Sequence, residues 1–466
     1  MNTTLLTDLY QLTMMAAYAA NDKEDQIATF DLFIRKLPKD WGYFIANGIE
    51  DAVDYITNIE FDDSDIDYLR EQNLFNEDFL NSLKDFKFEG DVYAVKEGTV
   101  VPENVPIMRI TAPRSQAQLL ESRLLNIINF QTMIATKANR VVNAAEGRPV
   151  ADFGLRRAQE ETAAMKGSRA AYIGGCVSTS NVKAGKEYGI PISGTHAHSF
   201  VMSFDTEIEA FRAYAKAFPD KPTLLIDTYD VMQGAKNAAI VARELEAKGK
   251  QLGAVRLDSG DLTEDSKQVR EFFDSVGLDY VTILASNDLN EYKIADMHEN
   301  GAKTGGYGVG TEMITAKPVT AVSGVYKLAE DTDEAGNLVP KIKLAEGKRT
   351  LPGKKQLYRV QGVDVYWVEG DERRKVEYII GLDGELDNMP GIEALLQPAV
   401  IEGKPVYQKS PLNETREYVR KEVEMLSSVY KGVRAEKQLK ASVTPKLEAL
   451  TQSLVDQYHK DNEEVM

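Results

Sequence analysis

One cysteine, Cys176, and four histidines are all that 466 residues hold of the soft metal ligands. A single cysteine excludes an internal disulfide and a cysteine-built metal cluster. Positive charge is scarce as well: 55 Lys and Arg stand against 73 Asp and Glu, for a net charge of −18. Such a surface repels nucleic acid and anionic membrane, so neither is expected as a partner. No uncharged apolar run reaches the length of a membrane-spanning helix. No Lys or Arg precedes an apolar run at the N-terminus, where Asp8 interrupts, so a signal peptide is not expected and a cytoplasmic location is. An anionic substrate would have to be met locally, by a few arginines and helix N-termini.

What is present is ordinary globular composition, 43% apolar and 27% charged, long enough for two or three domains. Thr4–Ala20 predicts a helix with Leu5, Leu9, Leu12 and Ala16 on one face and Thr4 or Thr7 as N-cap. Tyr10 lies beside that stripe, where a half-buried core tyrosine is the plain expectation. Ala28–Arg35, Val92–Val95 and Ile107–Thr111 read as strands, Asn47–Ile59 as a helix, and Gln116–Ala145 as one long helix stopped by Gly147 and Pro149.

From Val150 the pattern changes. Short apolar runs at Pro149–Phe153, Ala171–Ile173, Ile190–Ser193, Thr223–Ile226, Leu252–Leu257, Val281–Ala285 and Gly305–Val309 alternate with helical stretches, among them Ala158–Ala170, Ser199–Phe218, Asp230–Lys248, Asp261–Val276 and Asp288–Glu299. Apolar strands each followed by a helix predict a parallel sheet covered on both faces. Seven units suggest a closed or nearly closed β/α barrel, with a doubly wound open sheet as the alternative. Beyond Ala316, strands are expected at Val319–Leu328, Ile342–Leu344, Leu357–Val360 and Val363–Val368, then helices at Asn413–Lys431 and Val443–His459, with a frayed tail from Lys460.

The strand ends carry the chemistry. Asp152, Phe153, Gly154, Arg156 and Arg157 follow one strand; Thr195 and His198 follow another; then come Asp227, Thr228 and Asp230; Arg256, Asp258 and Asp261; Ser286, Asn287 and Asp288; and Gly306, Gly308, Gly310 and Thr311. Polar and glycine-rich sequence at one end of six strands is how one rim of a barrel becomes an active site. The run Gly306–Thr311 can bring backbone N–H groups close to a phosphate, though alone it is equally a tight turn. Arg256 can clamp a carboxylate or phosphate, and Asp258 and Asp227 can bind hydroxyls, hold Mg²⁺ waters or stabilise developing positive charge. The alternative is a structural Arg–Asp pair with an N-cap at Ser259 or Asp261. Phe153 beside Arg156 suits a planar anionic ring. His196 and His198, two residues apart, are expected to point in different directions, and no H-E-x-x-H pattern makes them zinc ligands.

At these residues the chain resembles the nicotinate phosphoribosyltransferase family. The matching stretches are Thr7–Met14 (TDLYQLTM), Ala151–Ala158 (ADFGLRRA), Gly194–Ser199 (GTHAHS), Ile226–Asp230 (IDTYD), Arg256–Asp261 (RLDSGD) and Tyr307–Thr311 (YGVGT). The match covers most of the chain and is loose beyond Lys348. It implies an irregular, TIM-like β/α barrel at 149–318, an α/β sandwich domain built from 1–148 and 319–412, and C-terminal helices at 413–466. The implied reaction joins nicotinate to 5-phosphoribosyl 1-diphosphate, giving nicotinate mononucleotide and diphosphate with ATP hydrolysis. The resemblance makes His198 the phosphoryl acceptor, with no chemistry for His196, and leaves Asp227 and Asp258 to stabilise the ribosyl centre. It has Tyr10 of a neighbouring subunit stack on nicotinate opposite Phe153, so a homodimer with shared sites is expected. Thr195 and Arg256 would bind the nicotinate carboxylate with Arg156 nearby, Asn287 would join the substrate-binding set, and Gly308, Gly310 and Thr311 would hold the 5′-phosphate. Mg²⁺ would be carried by diphosphate oxygens and water, without a protein ligand set. Gly174–Ser180 contains no acid that would favour an amide over a carboxylate; a nicotinamide or other pyridine-base enzyme is the alternative, and a catalytically dead binding barrel a third.

Overall fold

The computed structural model describes residues 3–345, 349–361 and 376–463. It divides into two compact units: Met1–Met133 with Ala321–Lys431 and Ala435–Met466, and Ile134–Thr320 with Gly432–Arg434. The division between units falls inside the Glu121–Ala144 helix, and the segment 413–466, apart from Gly432–Arg434, groups with the N-terminal strands.

The first unit is built on a seven-stranded antiparallel sheet. Its order is Leu338–Pro340, Gly324–Thr332, Ile27–Ile34, Met108–Pro113, Asp91–Ala94, Gln397–Ile401, Lys404–Pro405. Three strands from the N-terminal part of the chain lie together at its centre, flanked on each side by two from the part after residue 320. A second sheet pairs Lys355–Gln361 with Val376–Leu382 and Ile392–Ala394, and Ala441–Val443 joins it in parallel. No strand forms at Ile342–Leu344, and Val363–Val368 lies outside the described residues. The first helix starts at Leu9, not Thr4: Asp8 occupies the N-cap position, and its Oδ2 accepts from Ser122 Oγ at 2.6 Å instead of capping. The long pattern from Gln116 is two helices, Arg114–Leu119 and Glu121–Ala144.

The second unit holds six parallel strands in the order Ser178–Thr179, Val150–Asp152, Gly306–Val309, Thr282–Ala285, Ala254–Leu257, Thr223–Leu225. Their apolar residues have no solvent face: Leu224, Leu225, Val255, Leu257, Ile283 and Val309 are all buried, each such side chain contributing roughly 1.5–3 kcal/mol. The Val231–Glu246 helix lies directly on this sheet, since a Cβ at Gly234 would stand 2.0 Å from the Ile226 carbonyl oxygen. Only glycine permits that approach.

Two expectations fail here. Ala171–Ile173 is the last turn of the Glu160–Ile173 helix, not a strand. That helix is buried from Ser168 to Ile173, and a short apolar run has no period by which to tell strand from buried helix. The strand that takes its place, Ser178–Thr179, is polar and was not expected. The helix expected over Ser199–Phe218 is also two, His198–Met202 and Glu207–Ala217, the second opened by a Thr206–Glu209 capping box. Among the described residues no helix is long and apolar enough to cross a membrane.

The barrel is irregular at one seam. Ile192 makes a single parallel bridge to Thr179, and among the described residues no strand pairing joins that segment to Thr223–Leu225 on the far edge.

Candidate functional site

The C-terminal ends of adjacent strands bring one group of side chains together. Arg256, on the Ala254–Leu257 strand, donates from Nη1 to Thr195 Oγ1 at 2.6 Å, and its Nη2 stands 3.7 Å from Asp258 Oδ2. Its Nε is buried without a hydrogen-bond partner. Burial pulls the guanidinium pKa down, opposed by Asp258 and Asp227, and arginine stays charged regardless. Arg156, in the 3₁₀ turn Leu155–Arg157 after the first strand, is exposed and close enough to act electrostatically on Arg256. Two cations so placed, one with an unused donor, have the chemistry to receive an anionic group.

His198 opens the helix His198–Met202. Its Nδ1 lies 3.1 Å from Thr228 Oγ1, and its Nε2 faces Asp258 Oδ2 at 3.7 Å. The Asp258 carboxylate is held from behind by the Ser286 hydroxyl. Asp227, 8% exposed, accepts from the Asp258 amide at 2.8 Å and the Ser259 hydroxyl at 2.6 Å through Oδ2. Its Oδ1 is buried with no partner. Asp261 takes the N-cap role, on the helix Leu262–Ser275, and Asp230, for which no cap was expected, caps Val231–Glu246. Thr228 and Ser286 were noted at strand ends but given no role; only the folded geometry shows which group each touches.

On the other side of the rim, Asn287 and Asp288 have φ of +92° and +45°. Non-glycine residues in this region cost energy and concentrate at functional loops. Phe153 leads out of the first strand, and its ring lies over Gly308: a Cβ there would come within 2.4 Å of Cε2. Gly308 is therefore required to seat the ring, a reason for glycine separate from phosphate approach. A Cβ at Gly310 would meet the Phe153 carbonyl oxygen at 3.1 Å, and Thr311 begins the short turn Thr311–Ile314. Asp152, beneath this rim, accepts from the Gly154 amide, Ser168 Oγ and Thr179 Oγ1, each at 2.8 Å, and so anchors the loop that carries Phe153.

The two neighbouring histidines do diverge. His196 is 7% exposed and accepts at Nε2 from the Leu225 amide at 3.2 Å. Burial pushes its pKa down to about 4; nearby Arg256 and His198 act in the same direction, and a hydrogen bond with the Ala197 backbone opposes them.

Tyr10 belongs to the first unit. It is 47% exposed and donates to Glu121 Oε2 at 3.2 Å, so it is not the half-buried core tyrosine that its helix position suggested.

Family models decide the relationship. Residues 5–129 match the nicotinate phosphoribosyltransferase N-terminal domain and residues 149–330 the nicotinate phosphoribosyltransferase family. The chain belongs to the nicotinate phosphoribosyltransferase family. A nicotinate phosphoribosyltransferase of Mycobacterium tuberculosis is 41% identical over 423 residues, 91% of this chain and 87% of that protein. One from Bacillus subtilis is 42% identical over 370 residues, 79% of this chain and 75% of its own. The crystal structure of human nicotinic acid phosphoribosyltransferase superposes with a TM-score of 0.82 at 26% identity, covering 96% of this chain and 99% of that one. The α/β barrel expected from the sequence is thus the fold of the nicotinate phosphoribosyltransferase family, and the rim described above lies within residues 149–330 that its model matches.

Proposed function

We propose that this protein is an ATP-coupled nicotinate phosphoribosyltransferase of NAD salvage, working in the cytoplasm as a homodimer. The observation that carries the reading is one connected set: Thr195, Arg256, Asp258 and His198 joined within 3.7 Å across neighbouring strand ends. An anion receptor and a nucleophilic imidazole so close together suit a reaction in which an anionic ring and a phosphoryl group are handled at one rim.

In this reading Arg256 and Thr195 take the nicotinate carboxylate, with Arg156 nearby. Phe153 covers one face of the ring and Tyr10 of a neighbouring subunit the other. Gly308, Gly310 and Thr311 receive the 5′-phosphate, and Asn287 lies at the same rim. The bond from C1 of the ribose to the diphosphate oxygen breaks, the electron pair leaving with diphosphate. The ring nitrogen of nicotinate forms the new bond to C1 from its own lone pair, so no general base is needed. Carboxylates at Asp227 and Asp258 stabilise the positive charge that develops on the ribose. His198 takes the phosphoryl group of ATP and later yields it to water; the added charge biases the surrounding loops toward product.

Among the described residues no three His, Cys, Asp or Glu side chains stand together as metal ligands, while Asp227 Oδ1 is buried and unpaired. The Asp227 and Asp258 carboxylates would be the groups to hold the waters of a Mg²⁺ brought with the diphosphate; when bound it would neutralise charge on the leaving diphosphate. Pure protein incubated with phosphoribosyl diphosphate and either nicotinate or nicotinamide, with and without ATP, tests the reading. Mononucleotide from nicotinate, stimulated by ATP, is expected. Product from nicotinamide alone overturns the choice of base, and no product from either base leaves a binding protein.

A further inference from the structure

The seam of the barrel is where the second unit departs from a regular fold. Elsewhere each strand is held to its neighbour by a backbone ladder. Between Ile190–Ser193 and Thr223–Leu225 the connection is made by a side chain: the Leu225 amide donates to His196 Nε2. The imidazole is enclosed by Phe200, Phe211 and Tyr214, with ring centroids 5.4, 6.2 and 4.7 Å away. His196 is 7% exposed.

What it joins matters for the site. On one side of His196 is Thr195, bonded to Arg256; on the other, after one residue, is His198, bonded to Thr228. Leu225 lies on the strand that runs on into Asp227 and Thr228. One hydrogen bond thus ties the segment carrying the anion-binding hydroxyl and the reactive imidazole to the strand carrying the carboxylate and hydroxyl they work with.

We propose that His196 is a positioning residue: its Nε2, in place of the missing backbone ladder, sets the distance of Thr195 and His198 from the residues that follow Leu225. For Nε2 to accept, the proton sits on Nδ1. The role rests on the functional reading above only for its effect on turnover; the hydrogen bond itself is independent of it.

The test compares full-length wild type with His196→Gln, whose amide oxygen reaches about where Nε2 lies, His196→Asn, whose oxygen stops short, and His196→Phe, which fills the aromatic pocket without an acceptor. Exchange of the Leu225 amide with deuterium is read first. Slow exchange in wild type and His196→Gln, with at least tenfold faster exchange in His196→Asn and His196→Phe, is expected; equal exchange in all four overturns the proposal whatever the enzyme turns over. In the activity assay, the KM for nicotinate should rise at least tenfold and phosphohistidine formed from ATP should fall in His196→Asn and His196→Phe, with His196→Gln within about threefold of wild type. If His196→Phe does not fold, His196→Asn carries the comparison. A purely structural role would lower the melting temperature of all three variants without the rescue by glutamine. Wild type inactive on every base would refute the functional reading and leave the exchange result standing.

Discussion

His198 Nε2 lies 3.7 Å from Asp258 Oδ2, within ion-pair range and beyond hydrogen bonding. Arg256 Nη2 stands at the same 3.7 Å from that oxygen. One carboxylate thus faces the imidazole and the Arg256 guanidinium together. A phosphoryl group on His198 would place roughly −1.5 to −2 charges opposite it, so phosphorylation at His198 and charge at Asp258 oppose each other. Asp258→Asn should therefore slow loss of the phosphoryl group from His198, while lowering kcat for mononucleotide formation by about 10²–10³, the usual cost of removing one preorganised electrostatic group. Rapid-quench counting of phosphoenzyme with labelled ATP measures the first, steady-state assay the second. Faster dephosphorylation in the variant would contradict the assignment.

In the proposed reaction, His198→Ala would remove the phosphoryl acceptor while leaving the Arg256–Thr195 hydrogen bond intact. The expected result is loss of ATP stimulation with some basal transfer to nicotinate retained. An ATP dependence equal to wild type would rule out the role given to His198.

Gly308→Ala puts a methyl group 2.4 Å from Phe153 Cε2 and 2.5 Å from Cδ2. The ring has to shift, at a cost of about 1–3 kcal/mol. We expect the KM for nicotinate to rise at least tenfold and the melting temperature to fall by a few degrees. A crystal structure showing Phe153 unmoved, with unchanged KM, would remove Phe153 from the pocket wall.

Mixed dimers address the position of Tyr10. Tyr10→Ala and Arg256→Ala proteins, each inactive alone, should regain up to about a quarter of wild-type activity when recombined, because one of the two sites per mixed dimer is then intact. A verified mixed dimer with no activity counts against sites shared across subunits.

The folded-state pKa of His196, about 4, lies below the ordinary 6.5. Between those values the unfolded chain binds the proton and the native state does not, so stability rises with pH in that window. It is fully present above about 6.5 and lost as pH falls to about 4, at most roughly 3 kcal/mol from this group. Partly buried His298 is displaced in the same direction, so the difference between wild type and His196→Gln isolates the His196 part. Denaturant unfolding from pH 7 to 4 should show a shallower loss in the variant; parallel curves would refute the value.

Much of the site was legible in the chain. Asp227, Asp258 and Asn287 follow, and Arg256 lies near the end of, apolar runs that did become strands, and in a parallel sheet covered by helices every such end emerges on the same rim. The fold class followed from the same alternation of apolar runs and helices, because strands without a polar face have to be buried on both sides. Other parts depended on contacts between distant residues. Ala171–Ile173 is as apolar as any strand and became helix, whereas Ser178–Thr179 is polar and became strand, because a two-residue ladder is decided by its neighbours and not by propensity. That Gly308 seats a phenylalanine, that Thr228 rather than a carboxylate meets His198 Nδ1, and that His196 bonds the Leu225 amide are likewise set by atoms brought together across 29 to 155 positions of chain. Residue type and order specified which groups the rim would carry; only tertiary packing, which fixes distance and removes water, decided which of them touch and which of two neighbouring histidines is buried.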